Sequence, residues 1–424
     1  MLDGRSAREP QPVKGQAVSE ACKMPEAARK TYLLDTHRLR DPAQTLEQVR
    51  PHLASMGITR IANLTGLDRI GLPAVMVTRP NSRSVAVALG KGLSLEAAQA
   101  SGVMEAIETW HAERVSLPLR LASLTDLEQE VQVADVERLP RVAGSRFDPY
   151  RPMLWIEGHD LAGQTSRWLP YEMVDTDYTT PPRGGQGAFP RSTNGLASGN
   201  DALEAACHAI CELIERDATT LWHYSDSKPR IDPDTVDDPR CRQALDRLAR
   251  AGIEFGIWET ATDVGVACFH CVIGEGGSQP GHIGIGDGCH PDRSIALLRA
   301  VTEAAQTRLT YISGARDDLD PNEFTAEAVA TRGQYIRGLI RCTQPTESFQ
   351  DCPSFSSPSF EEDLDWLLER LNSAGINQVL IVDLSRRGMG IAVVRALIPG
   401  LEAPHDDPDF VPGPRAQQVM EAAG

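Results

Sequence analysis

Three stretches of this 424-residue chain set carboxylates at helical spacing among small apolar residues. In SGVMEAIETWHAE, Glu105 and Glu108 stand three apart beside Val103, Met104, Ile107 and Trp110. That spacing puts both on one helix face. In NDALEAACHAICELIERD, Glu204 and Glu215 nearly eclipse at ~100° per residue, and Glu212 lies ~80° from Glu204. An ordinary surface helix interleaves basic partners four residues on, but only Arg216 is at hand. In RAVTEAAQTRL, Arg299, Glu303 and Gln306 share a face, while Arg308 falls about half a turn away from Arg299. Carboxylates on apolar helices are costly to bury unless a cation meets them. One such pair is an ordinary solvent-facing stripe. Three sets together describe a cation-binding site.

The chemistry open to such a site is specific. Carboxylate oxygens suit Mg²⁺, which usually bridges protein to phosphate. Arg216, Arg308 and Lys91 would meet phosphate oxygens. The loop Ser192–Asn200 feeds the N-terminus of the second helix, where backbone N–H groups bind anions. Gly90-Lys91-Gly92 offers a close backbone approach with a cation between two glycines. The chain has no G-x-x-x-x-G-K-[ST] and no strand–G-x-G-x-x-G–helix. The expectation is a nucleotide held through carboxylate-bound Mg²⁺ rather than by a phosphate loop.

Three long helices must carry these residues: Leu95–Val115, Asp201–Trp222 and Asp292–Ser313. Asp41 caps a shorter helix from Pro42 to near Met56. Further helices are expected over 238–251 and 360–374. Strands are expected at Ala74–Thr78, Ser84–Leu89, Met153–Gly158, Val264–Ile273, Gln378–Leu384 and Ile391–Leu397. Helices and strands alternate along the whole length, so the class is α/β or α+β. Residues 1–30 read as a disordered polar tail, and the Asp-, Pro- and Ala-rich C-terminus as irregular.

Composition excludes several classes. The formal charge is −17, from 59 acidic and 42 basic side chains, which argues against a nucleic-acid or anionic-membrane coat. No run of ~18 apolar residues exists to span a bilayer, and the N-terminus lacks a signal-peptide layout. Nine scattered cysteines do not form a disulfide framework, so a reducing, cytoplasmic setting is expected. Cys268 and Cys271 stand three apart on an expected strand, hence on opposite faces. Of the helix histidines, His208 follows Glu204 by four residues, so it can face the site, although a structural role is the more ordinary reading for it and for His111.

At these residues the sequence resembles the YcaO family. The matching pieces are GKGLS (90–94), SGVMEAIE (101–108), STNGLASGNDALEAACHAICELIERD (192–217), ALLRAVTEAAQTRL (296–309), ISGARDD (312–318) and IVDLSRRGMGIAVVRALIPGLE (381–402). The resemblance implies a YcaO fold over 76–415, with mixed β-sheets flanked by long helices and an ATP/Mg²⁺ site without a phosphate loop. It implies that Glu105 and Glu108 form one metal and ATP pair. It implies that Asn200, Glu204, Glu212, Glu215 and Arg216 form a second set, and Gln306 with Arg308 a third. Lys91 and Ser94 match the glycine-lysine loop. The metal ligands would be Glu105, Glu108, Glu204, Glu212 and Glu215, and the catalytic groups Glu215, Arg216 and Arg308.

The activity implied is ATP-dependent phosphorylation of a peptide backbone amide oxygen. KTYLLDTHRLRDPAQTL (30–46), GITRIANLTGLDRIGLP (57–73) and VPGPRA (411–416) are similar to YcaO proteins that work with a TfuA partner. That subgroup implies thioamidation of a precursor peptide with a sulfide source, and allows a homodimer. Residues 31–75 are expected to contact substrate or partner, and 416–424 to form a tail. Two other readings stay open. One is azoline-forming cyclodehydration of Cys, Ser or Thr, although the chain lacks the P-x-P-x-P ending usual for it. The other is a catalytically silent peptide-binding partner, which would gain nothing from clustered carboxylates.

Overall fold

Each of the three carboxylate-bearing helices begins at a side-chain cap. Ser94 accepts the N–H of Ala97, Asp201 that of Glu204 and Asp292 that of Ser294, satisfying donors that a helix start leaves orphaned. The computed structural model describes residues 29–181, 184–276, 282–314, 316, 319–342 and 344–423.

In chain order the first elements are α1 (Pro42–Val49), β1 (Arg60–Asn63), β2 (Ala74–Thr78), β3 (Val87–Lys91), α2 (Leu95–Ala112), β4 (Leu119–Ala122), the single turn α3 (Leu124–Leu127), β5 (Met153–Asp160), β6 (Thr165–Pro170) and β7 (Leu196–Gly199). Then come α4 (Ala202–Tyr224), β8 (Ile231–Asp232), α5 (Pro239–Arg250), β9 (Ile253–Glu259), β10 (Ala267–Glu275), β11 (Gly284–His290) and α6 (Arg293–Ser313). The chain ends with α7 (Ala326–Cys342), β12 (Glu347–Ser348), α8 (Phe360–Ser373), β13 (Leu380–Asp383), β14 (Ala392–Leu397) and α9 (Pro414–Ala423).

The strands form three antiparallel sheets and one short parallel pair, β12 with β8. One sheet has the order β1-β2-β3 and another β11-β10-β9. The largest runs β4-β5-β13-β14-β7, with β6 also paired to β5. Helix α2 packs on β2 and β3, α4 spans from β7 and β14 to β11, and α6 lies on β10 and β11. The site-bearing helices therefore each stand on a different sheet and meet between them. Because β1, β2 and β3 form one sheet, the N-terminal segment continues into the main domain without a break at residue 75.

Close approach of helix to sheet depends on glycine. A Cβ on Gly90 would collide with the backbone of Ala98 and Gly102 on α2, and one on Gly286 with the backbone of α6 at Ala300 and Ala304. Gly90 thus serves helix packing, where the sequence suggested close approach to a ligand. The two sides of β10 meet different cores. Cys268 joins the cluster around α4, and Cys271 the cluster around α6. The pair is split across the sheet, as three-residue strand spacing requires, and both thiols are free.

Most expected elements form within a few residues of their expected bounds. The helix from Pro42 stops at Val49 and gives way to a 3₁₀ turn at Arg50–His52, which includes Pro51. The C-terminus corrects the reading of an irregular tail, because Pro414–Ala423 is helical. Its first turn is held from outside: the Glu402 carboxylate accepts the N–H groups of Gly413, Arg415 and Ala416 at 2.8–3.0 Å. That support lies eleven or more residues away in sequence, where local pattern does not reveal it. The expected tail at 1–30 falls mostly outside the described residues. Lys30 is docked, its ammonium 2.6 Å from buried Asp363.

Candidate active site

Between α2, α4 and α6 lies a cavity of about 510 Å³, within the range of small-molecule sites. Residues Glu204, His208, Glu212 and Arg216, each four apart on α4, line one wall. Glu105 and Glu108 face them from α2, and Arg299, Glu303 and Gln306 from α6. Lys91 reaches in from β3 and pairs with Glu303. Glu215 completes the carboxylates, its Oε2 accepting the Cys289 N–H at 2.9 Å. The structure thus brings together Lys91, Glu105, Glu108, Asn200, Glu204, Glu212, Glu215, Arg216 and Gln306.

Two expected residues stand elsewhere. Arg308 does not line the cavity. It is buried with Asp68 at 3.4 Å, Glu275 and the His282 carbonyl. The physical reason is helical phase: Arg299 takes the inward position, and Arg308 points half a turn away. Ser94 is engaged as the cap of α2.

The carboxylates are held in different ways. Glu204 is buried and accepts the Leu39 N–H at 2.9 Å and the Asn200 amide at 3.1 Å on both oxygens. Glu108 accepts both groups of Ser198 on Oε1. Burial raises the proton affinity of all five, to about 7 for Glu105, about 8 for Glu108 and about 7 for Glu215. Glu105 is exposed to the cavity, Glu108 half-buried and Glu215 buried, so Glu215 feels the low dielectric most fully. Burial alone would weaken the Arg216 charge, but Glu215, Glu212 and Glu303 more than offset it and hold the guanidinium protonated. Arg216 stands 3.7 Å from Glu215 and 3.9 Å from Glu212.

The N-terminal segment supplies a wall that helical spacing did not reveal. Asp35, Arg38, Arg40 and Thr45 line the cavity. Arg38 lies 3.5 Å from Glu204, Asp35 accepts the Leu93 N–H at 2.8 Å, and the Thr45 hydroxyl bonds Asn200 at 3.0 Å. The basic run His37-Arg38-Leu39-Arg40 before the Asp41 cap was the available signal. Ser198 was also missed; it lies on β7, in the loop-strand passage that feeds α4.

The cavity fits a divalent cation with a polyanion. Carboxylates and cations interleave around it, and buried polar atoms there are unmet: Gln306 Oε1, Arg216 Nε, Arg299 Nε and His208 Nδ1. Among the described residues no three acidic, histidine or cysteine groups form a ready metal cage. Mg²⁺ is commonly held by one or two carboxylates plus phosphate and water. No helix among the described residues is long and apolar enough to cross a membrane.

Comparison with known proteins agrees with this reading. Residues 89–402 match the family model described as YcaO cyclodehydratase, ATP- and Mg²⁺-binding. A protein of Rhizobium leguminosarum bv. trifolii, described as an uncharacterized protein in the tfuA 3′ region, is 35% identical over 90% of this chain and 92% of its own. The fold matches YcaO from Methanopyrus kandleri bound with AMPPCP and Mg²⁺ at a TM-score of 0.72, with 23% identity over 91% of this chain and 98% of that one. It also matches a heterocyclase in complex with substrate and cofactor at a TM-score of 0.74, with 24% identity over 91% of this chain. This chain spans 55% of that heterocyclase. The chain belongs to the YcaO family, and ATP and Mg²⁺ are its cofactors.

Proposed function

We propose that this protein activates a peptide backbone amide with ATP and replaces the amide oxygen by sulfur, leaving a thioamide in a ribosomal peptide or protein. The observation that carries the reading is the single cavity in which Glu105, Glu108, Glu204, Glu212 and Glu215 face Lys91, Arg216 and Arg299. An amide is a poor electrophile, and ATP with Mg²⁺ supplies the phosphoryl group that makes its oxygen a leaving group. One or two of the cavity carboxylates would hold the cation. Arg216, Arg299 and Lys91 would neutralise phosphate charge. Asn200 and Glu204, tied to Thr45 and Leu39, fix the N-terminal segment over the site.

The sulfur chemistry rests on the resemblance to the TfuA-associated subgroup and on the tfuA-region relative. A TfuA-like partner would deliver a sulfide equivalent, since the cysteines at 207, 211, 241, 268, 271, 289 and 352 are buried. Exposed Leu33 and Leu34 sit on the segment beside the cavity and offer partner or peptide contact. Free thiols suit a reducing cytoplasm. A second reading is favoured by the family description and the heterocyclase likeness: the same activation followed by attack of a Cys, Ser or Thr side chain to form an azoline.

Co-expression with a TfuA-like protein and a short peptide encoded nearby, followed by intact-mass analysis, separates the two. Oxygen-to-sulfur exchange raises the peptide mass, whereas azoline formation removes one water. In the same assay Glu212→Gln is expected to abolish peptide-dependent ATP turnover in a folded protein. Undiminished turnover would overturn the carboxylate assignment.

A further inference from the structure

The α4 wall of the cavity carries one uncharged titratable group. His208 stands one turn from Glu204 and one turn from Glu212, and its ring lines the cavity with them. Its Nδ1 is buried and has no hydrogen-bond partner among the described residues. The Ser198 backbone on β7 lies beside the ring and favours its protonated form. A neutral imidazole has one N–H and one lone pair. With the proton on Nε2, the buried Nδ1 keeps an unused lone pair.

Of the other buried histidines, His37 also leaves Nδ1 unmet among the described residues but does not line the cavity. His111 uses Nδ1 on the Ile107 carbonyl at 2.8 Å, and His270 uses it on Asp287 at 2.8 Å. His290 accepts the Asp292 N–H at Nδ1.

Three elements aim cations at His208: Arg299 from α6, Arg38 from the N-terminal segment and Lys91 from β3. Burial first, and these charges second, keep the ring neutral well below the usual histidine range. The carboxylates nearest in sequence are Glu204 and Glu212 on its own helix, and Glu108 reaches Ser198 from α2. The cluster of cations marks the polyanion end of the cavity, where a phosphoryl group would be transferred.

We propose that His208 accepts the proton of the peptide amide N–H while the amide oxygen takes the phosphoryl group. This deepens the function proposed above and rests on it. As the oxygen–phosphorus bond forms, the bond between the γ-phosphorus and its bridging oxygen breaks and ADP leaves. The amide nitrogen gives its proton to Nδ1 and becomes the imidate nitrogen. In the second half, hydrosulfide bonds to the activated carbon and the carbon–oxygen bond breaks. The histidine proton returns to nitrogen, the S–H proton leaves with phosphate, and the thioamide keeps its N–H. No oxidant is needed. The cations that keep the ring unprotonated in the free protein are offset once polyphosphate binds, so proton affinity rises at the moment it is used.

Two measurements test this. In protein carrying ¹³C-labelled histidine, with His208→Gln to assign the resonance, the His208 ring is titrated with and without Mg²⁺ and β,γ-methylene-ATP. The expected result is an upward shift of its titration on nucleotide binding; no shift, or a downward one, overturns the proposal. In turnover, the probe is the nearby-encoded peptide whose mass changes in the co-expression assay. His208→Leu and His208→Gln are each expected to lower peptide-dependent kcat on the order of 100-fold, with nucleotide Kd altered by less than about threefold. Activity restored by Gln, which accepts a hydrogen bond but carries no proton, overturns the proposal, as does a fall in nucleotide affinity that matches the fall in kcat. A wild-type protein that fails to bind the nucleotide analogue would instead refute the ATP assignment on which the proposal rests.

Discussion

Ser198 gives both of its hydrogen bonds to one oxygen of Glu108, the backbone N–H at 2.8 Å and the hydroxyl at 2.7 Å. The second carboxylate oxygen accepts none among the described residues, so the pairing orients it toward the cavity. Ser198→Ala removes one charge-assisted bond, worth about 1.5–3 kcal/mol, and leaves the other. Glu108 then holds its proton more tightly. Mg²⁺–nucleotide affinity is expected to fall about tenfold at pH 7 and to recover toward higher pH, as titration calorimetry would register. Equal affinity for the variant and the wild type would refute the role of this pair.

Proton uptake by the cavity follows from the same burial. Burial lifts Glu105 to about 7, Glu108 to about 8 and Glu215 to about 7. A divalent cation needs its carboxylate ligands ionised, so binding near pH 7 should release roughly one to two protons. Affinity should rise between about pH 6 and 9. The stability sign is the reverse of the usual carboxylate case. These groups have folded pKa values above their unfolded ones, so the folded protein binds more protons. Its stability falls as pH rises through 7 and 8. His37 and His111, lowered to about 4 by burial, contribute slope only below about 6.5. The upper window therefore isolates the carboxylates. Melting curves from pH 6.5 to 8.5 should decline without Mg²⁺ and nucleotide, and flatten with both.

Arg308 separates a structural arginine from a ligand-facing one. Its side chain and that of Asp68 are 6% and 3% exposed. Arg308→Met strands a buried carboxylate, which costs about 3–5 kcal/mol. Nucleotide affinity of the folded fraction should match wild type, because Arg299 and not Arg308 lines the cavity. The opposite pattern, an unchanged melting temperature with lost affinity, would restore Arg308 to the site.

That contrast shows how far sequence reasoning carried. Glu105, Glu108, Glu204, Glu212, Glu215 and Arg216 were legible because carboxylates on apolar helices are anomalous, and period alone places them on common faces. Arg308 was expected at the site from its motif, but it stands a half-turn from Arg299, an offset visible in the sequence, and does not line the cavity. Arg38 and Thr45 were legible only as part of the 31–75 segment expected to contact substrate or partner. Their route to Glu204 and Asn200 crosses more than 150 residues, and no local periodicity encodes such a contact. The helix at Pro414–Ala423 was missed for the same reason, since its cap comes from Glu402 and its anchor from α4.

That anchor is testable. Arg415 makes paired bonds of 2.9 and 3.0 Å to Asp217, which is fully buried on α4 directly after Arg216. Asp217 also accepts the Glu402 N–H at 2.9 Å. Burial lifts its pKa to about 6 against the pull of Arg415. Arg415→Ala should destabilise the protein by about 3–5 kcal/mol, and Arg415→Ala with Asp217→Asn should recover part of that loss. A double variant no more stable than the single one would show that the pair does not couple.

Arg395 sets function against stability. It is 2% exposed on β14, and its Nε and Nη1 have no partner among the described residues. Burial pulls its pKa down to about 10, with Tyr178 and Glu212 opposing. A guanidinium short of partners weakens the fold, and replacing buried charge with a well-packed apolar group is often neutral or stabilising by about 1–4 kcal/mol. Arg395→Met should therefore raise the melting temperature. The same change removes a positive charge that helps keep Glu212 ionised, so ATP turnover should fall, most strongly below pH 7. Retained turnover with a higher melting temperature would mean that Glu212 draws its ionisation from Arg216 alone. A lower melting temperature would mean that Arg395 stabilises the fold despite its unmet donors.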